Sequence, residues 1–178
     1  GPNDSTFSRS TSARRARNRK DMIMIDSTQG FTLMRVFDAT PEDIWSAWTD
    51  PDEVAMWWHP RGVSTPRETV AIDARAGGKY RYTMVNDATG ERYPTGGVYL
   101  ELSAYTRLQF TWGDPEAAPE DAMLITITLE ARGNQTEMTF DLRGPIGTVD
   151  YSIHDGWDSA LDVLEEFIGS AAAPMSPS

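Results

Sequence analysis

VDYSIHDGWDSALDVLEEFI, residues 149–168, carries the longest helical pattern in the chain. Ile153, Trp157, Ala160, Leu161, Leu164 and Ile168 recur at the spacing of one helical face. Asp150, Asp155, Asp158, Asp162, Glu165 and Glu166 mark the other side, which reads as solvated surface. A long one-sided helix needs a broad apolar surface to lie on, and the segments before it can supply one.

Those segments alternate with the period of two that strands require. Residues 135–142 place Met138, Phe140 and Leu142 on one face. A two-residue turn at Gly133-Asn134 joins them to residues 123–131, with Met123, Ile125, Ile127 and Leu129 on one face and threonines on the other. Residues 113–121 form an acidic, proline-containing loop. Before it, residues 107–112 align Leu108, Phe110 and Trp112, and residues 95–103 read as the preceding strand. Residues 79–85 align Tyr80, Tyr82 and Met84, with turn residues at 86–90 and a Gly77-Gly78 turn ahead of them. Residues 68–74 read as a further strand.

At the N-terminal side, residues 31–39 form a first strand with Phe31, Leu33, Arg35 and Phe37 facing one way. Thr40-Pro41-Glu42-Asp43 is a helix start: Thr40 caps, Pro41 suits the first helical position, and the two acids favour the positive end of the dipole. Ile44, Trp45 and Trp48 make its apolar stripe. Asp50-Pro51 ends that helix and starts a second, running toward Trp57-Trp58, before a loop at His59-Pro60-Arg61-Gly62. The fold class predicted is α+β: a curved antiparallel sheet wrapped around the long C-terminal helix, with two short helices after the first strand closing one end.

The chain has 178 residues, with 39% hydrophobic and 10% aromatic residues, which suits one folded domain. With no cysteine, disulfides, thiolate zinc sites and a cysteine nucleophile are excluded. His59 and His154 are the two histidines, too few for a three-histidine metal site in one chain. No metal or other cofactor is expected. No apolar run reaches the roughly 18 residues a membrane span needs, and no apolar stretch follows the N-terminal basic cluster as in a secretory leader, so a cytoplasmic protein is expected. The net charge is −11, yet residues 1–20 hold six basic residues against Asp4 alone, so the remainder is more acidic still. A body this acidic repels phosphate backbones, which argues against nucleic acid as a partner of the domain. Residues 1–27 are expected to be a disordered basic arm, in part left by a tag. Residues 28–169 would form the domain and 170–178 a disordered tail. Arginine far outnumbers lysine, a bias that points to a GC-rich bacterial genome.

The order of elements resembles the START-like superfamily (SRPBCC, helix-grip fold). More narrowly, it resembles the branch named after the activator of the heat-shock-chaperone ATPase. The resemblance is carried by Ala39-Thr40-Pro41-Glu42-Asp43-Ile44-Trp45, Trp48-Thr49-Asp50-Pro51, Trp57-Trp58-His59-Pro60, Gly77-Gly78-Lys79-Tyr80-Arg81, Leu108-Gln109-Phe110-Thr111-Trp112 and His154-Asp155-Gly156-Trp157-Asp158-Ser159-Ala160-Leu161. It implies a cavity between the long helix and the concave sheet. It also implies that the segment around His154 is a packing motif in which Gly156 allows close approach to the sheet. One scaffold of this kind serves lipid and antibiotic binders, aromatic cyclases and chaperone regulators.

The inward series is rich in Tyr, Met, Trp and Phe, a lining suited to a flat apolar or aromatic ligand. The candidate ligand-binding residues are Trp57, Trp58, Tyr80, Tyr82, Met84, Phe110, Trp112, Met123, His154 and Trp157. Trp57 and Trp58 are adjacent on a short helix and are not expected to face one core spot. The Tyr80 and Tyr82 hydroxyls, if inward, require partners. His154 stands one turn before Asp158, a spacing at which a carboxylate can hold an imidazole. Arg75, Arg81 and Arg143 could meet an acidic substituent if inward. The first functional reading is a non-enzymatic binder of a small hydrophobic or aromatic molecule, for instance one that sequesters a natural product or antibiotic. The chain would act as a monomer or homodimer, away from membranes. The second is a polyketide cyclase-like or hydrolytic enzyme using His59, His154 or a tyrosine as acid or base. The third is a chaperone-regulating or other protein-interaction module acting through the acidic surface.

Overall fold

The computed structural model describes residues 30–172. The expected basic arm and most of the expected C-terminal tail lie outside the described residues. The first strand, β1 (Gly30–Phe37), leads into α1 (Pro41–Thr49) and α2 (Pro51–Trp57). Thr40 caps α1, its side chain accepting from the Asp43 N–H, with Pro41 in the first turn. Asp50 closes α1 and caps α2, accepting from the N–H groups of Asp52 and Glu53. One carboxylate thus sets the corner between the two helices. Asp50→Ala should lower the unfolding free energy by about 1 kcal/mol in a denaturant titration. The stripe of α1 is shifted slightly from expectation: Ile44, Ala47 and Trp48 are buried, while Trp45 is half-buried and meets Tyr105 edge-on.

After α2 come β2 (Val63–Ser64), β3 (Ala71–Ile72), β4 (Lys79–Asn86), β5 (Arg92–Ser103), β6 (Arg107–Trp112), β7 (Met123–Arg132) and β8 (Gln135–Arg143). The strand expected over 68–74 is cut to β3, because a 3-10 turn (Arg67–Thr69) precedes it. There the Thr69 hydroxyl donates to Pro66 O and accepts from the Thr83 N–H, replacing ladder bonds. Strand β5 starts three residues earlier than expected and includes Pro94, which is tolerated because β6 pairs only from Tyr99 onward.

The antiparallel sheet runs β1-β8-β7-β6-β5-β4-β2, with β3 also on β4. Its first and last full-length strands are therefore neighbours, Gly30 opposite Arg143 and Phe37 opposite Thr136. A bulge between Tyr99 and Glu101 bends β5. At Gly97 a Cβ would stand 1.9 Å from the Thr111 carbonyl oxygen, so only glycine permits the strands to approach this closely.

The long helix α3 (Tyr151–Ala172) lies across the concave face. It extends beyond the expected end at Ile168, since Gly169-Ser170 is followed by helix-favouring alanines before Pro174. Leu161, Leu164 and Ile168 are buried against the sheet, whose inner positions Phe31, Leu33, Ile125, Ile127, Met138, Phe140 and Leu142 are buried in turn. No helix among the described residues is long and apolar enough to cross a membrane.

The acidic side of α3 is not simply solvated surface. Arg35 points inward from β1 and forms ion pairs with Asp158 (2.6 Å), Asp162 (2.9 Å) and Glu165 (3.5 Å). It also donates to the Asp158 carbonyl. Arg61, in the loop after α2, pairs with Glu166, and its backbone N–H donates to the Ser159 hydroxyl. These carboxylates fasten the helix to a strand on one side and to a loop on the other.

Candidate functional site

A cavity of about 600 Å³ opens under the first turns of α3. The helix contributes Ser152, Ile153, Gly156, Trp157 and Ala160. Strand β4 contributes Tyr82, Met84 and Asn86, β5 contributes Tyr93, and β6 ends in Trp112. Trp58, His59, Pro60 and Val63 form the wall after α2. Further along α3 the helix settles onto the sheet, and the hollow gives way to packed core.

Of the candidates, Trp58, Tyr82, Met84, Trp112 and Trp157 line this cavity. Trp57, Tyr80, Phe110, Met123 and His154 do not. Trp57 is fully buried behind Trp58, its indole N–H donating to Ala47 O at 2.7 Å. Contrary to expectation, the two adjacent tryptophans share one core position: their rings stack at 5.6 Å and 6°. The helix stops at Trp57, and Trp58 takes φ −77° and ψ 73°, which swings its ring alongside its neighbour's. Trp48 meets both edge-on, at 4.7 and 5.3 Å. Tyr80 is buried, its hydroxyl donating to Thr111 O at 2.7 Å, and Phe110 packs against its ring at 5.5 Å. Met123 is half-buried and stands opposite Trp112 in the β6–β7 ladder.

His154 does not pair with Asp158, which Arg35 has taken. Its Nδ1 contacts Asp155 at 3.0 Å, and its ring stands edge-on to Phe31 at 5.0 Å. Its Nε2 is buried and has no hydrogen-bond partner among the described residues. The imidazole is a packing group under β1. Gly156 also departs from expectation: a Cβ there meets nothing within 4 Å, so the missing side chain keeps the cavity open rather than admitting the sheet. Arg75, Arg81 and Arg143 lie outside the cavity lining and are exposed, Arg75 paired with Asp73 and Arg143 with Asp141.

The walls are mainly apolar, and most polar edges are already engaged. The Trp112 indole N–H donates to the Tyr82 oxygen at 2.8 Å. Burial pushes the Tyr82 phenol well up, opposed by its hydrogen bonds with Trp112 and Thr95, so it stays protonated near neutrality. The Tyr93 hydroxyl donates to Glu91, and Ser152 donates to Asp150. Burial lowers the His59 imidazole, with the Asp87 carboxylate opposing. His59, Val63, Tyr93, Ser152 and Gly156 are lining positions absent from the expected set. Val63 and Tyr93 fall between the segments to which the sequence reading gives an element, and the structure places them in β2 and β5. Ile153 and Ala160 belong to the helical stripe and could have been drawn from it.

A curved antiparallel sheet gripping a long C-terminal helix, with an apolar hollow beneath that helix, defines a START-like helix-grip domain. Solved structures are similar over most of the chain. A protein from Chromobacterium violaceum is 29% identical with a TM-score of 0.69, covering 78% of this chain and 95% of that one. An AHSA1 protein from Silicibacter pomeroyi is 25% identical with a TM-score of 0.67, covering 79% and 98%. A protein from Nitrosomonas europaea shares the fold at 22% identity and a TM-score of 0.71, covering 85% and 100%. No curated protein matches. The family described as Activator of Hsp90 ATPase homolog 1-like protein matches residues 38–169, and the chain belongs to that family.

Proposed function

We propose that the domain binds a small hydrophobic or aromatic molecule in the cavity beneath α3. The observation that carries this reading is an open hollow of about 600 Å³ walled by three tryptophans, Tyr82, Met84 and Ile153. Flat apolar ligands gain from burial and ring stacking on such a surface. Holding or sequestering an aromatic natural product, antibiotics included, extends the same reading. A cyclase-like or hydrolytic enzyme is favoured by one feature, the His59 imidazole on the cavity wall. His154 and Tyr82 do not serve it: the first lies away from the hollow, and burial keeps the second protonated. A protein-interaction role gains little from the acidic face, because Arg35 and Arg61 already engage Asp158, Asp162, Glu165 and Glu166.

Trp58, Trp112 and Trp157 are half of the chain's 6 tryptophans, so intrinsic fluorescence reports on the hollow directly. Titration with naphthalene, 2-naphthol and medium-chain fatty acids should change the emission saturably, with Kd below about 1 mM for at least one aromatic compound. Flat titrations across the whole panel would remove the proposal.

A further inference from the structure

The hydrogen bonds around His59 fix where its proton sits. The Thr65 hydroxyl has one hydrogen and donates it to the Trp58 carbonyl at 2.9 Å. Its contact with His59 Nδ1, at 3.0 Å, therefore has the imidazole as donor. In the neutral ring that leaves Nε2 with its lone pair and no proton. Thr65 is buried and off the cavity lining, whereas His59 is part of it, so Nδ1 turns into the protein and the Nε2–Cδ2 edge of the ring is left without a protein hydrogen bond.

The other polar groups on the walls are used, apart from the Trp58 and Trp157 indole N–H groups, which are buried, have no partner among the described residues and can only donate. Tyr82 is bonded to Trp112, Tyr93 to Glu91 and Asn86, and Ser152 to Asp150. The Asn86 carbonyl accepts from the Ala88 and Thr89 N–H groups. His59 Nε2 has no partner among the described residues, which makes it the open acceptor on the cavity wall.

We propose that the cavity selects apolar ring compounds carrying one hydrogen-bond donor, a phenol or a ring N–H, and that this donor seats on His59 Nε2. The proposal rests on the reading of the hollow as a ligand site. A ligand presenting only an acceptor at that point would face a lone pair and gain nothing. Thr65 is the positioning residue, since its hydroxyl holds the proton on the far side of the ring.

The test compares 2-naphthol, 2-methoxynaphthalene and naphthalene by fluorescence titration. Wild-type protein should bind 2-naphthol about fivefold more tightly than naphthalene, and 2-methoxynaphthalene no more tightly than naphthalene. His59→Phe should erase the preference, so that 2-naphthol and naphthalene bind this variant within about twofold of each other, and His59→Gln, which restores an acceptor, should recover part of it. Imidazole nitrogen shifts by NMR give a readout independent of these variants: Nε2 should be bare in the free protein and respond to 2-naphthol but not to naphthalene. A proton found on Nε2, equal affinities in wild type, or a preference that survives in His59→Phe would each overturn the assignment. If neither naphthalene nor 2-naphthol nor any other compound of the panel binds, the ligand-site reading falls and the proposal with it. Naphthalene binding without a preference for 2-naphthol sinks the proposal alone.

Discussion

Gly156→Leu is expected to abolish ligand binding while the domain stays folded. A side chain at this position meets no neighbour within 4 Å of its Cβ, so it enters the cavity rather than a packed wall. Helical side chains lean toward the helix N-terminus, which carries the leucine over Ser152 and Ile153, both of which line the hollow. The affinity for any ring compound that binds wild type should fall by at least about tenfold. Stability should move the other way: Gly156→Ala alone should raise the unfolding free energy by about 0.5–1 kcal/mol, since glycine within a helix leaves the unfolded chain too free. Binding and stability thus separate at one residue. A leucine variant that binds as well as wild type would place the ligand elsewhere.

Arg35→Met should produce the largest loss of stability among the substitutions considered. The guanidinium is mostly buried, with a side-chain exposure of 17%, while its carboxylate partners are roughly half exposed. Removing it leaves Asp158, Asp162 and Glu165 repelling one another along α3 and frees the Asp158 carbonyl. Because the acids keep contact with water, the cost is about 2 kcal/mol, below that of breaking a fully buried pair. Denaturant unfolding at low and high salt measures it: the gap between wild type and variant should narrow as salt screens both the attraction and the repulsion. A change under about 0.5 kcal/mol would mean that packing alone holds the helix down.

Much of the fold was legible because it rests on local periodicity. The alternation of Tyr80, Tyr82 and Met84, and of Leu108, Phe110 and Trp112, states which way each strand faces, and the structure turns these residues inward. Alternation does not state how far the helix stands from the sheet. Tyr80 and Tyr82 share a face and a residue type, yet Tyr80 lies in packed core while Tyr82 borders the cavity. The partner of Asp158 was hidden for another reason. Within the helix His154 is the near candidate, but Arg35, distant in sequence, is brought inward by the β1–β8 register and carries the stronger charge. The stacking of Trp57 on Trp58 depends on a backbone turn at the helix end, which residue type alone does not encode.

The pairing of β1 with β8 has a consequence for how the chain is made. Residues 30–37 leave the ribosome about a hundred residues ahead of residues 136–143, their strand partner among the described residues. Until then Phe31, Leu33 and Phe37 have neither neighbouring strand nor covering helix, and the partly synthesised chain carries an open, sticky edge. Closure must await synthesis of β8 and α3, so folding should be slow for a domain of this size, and chains truncated before α3 should aggregate.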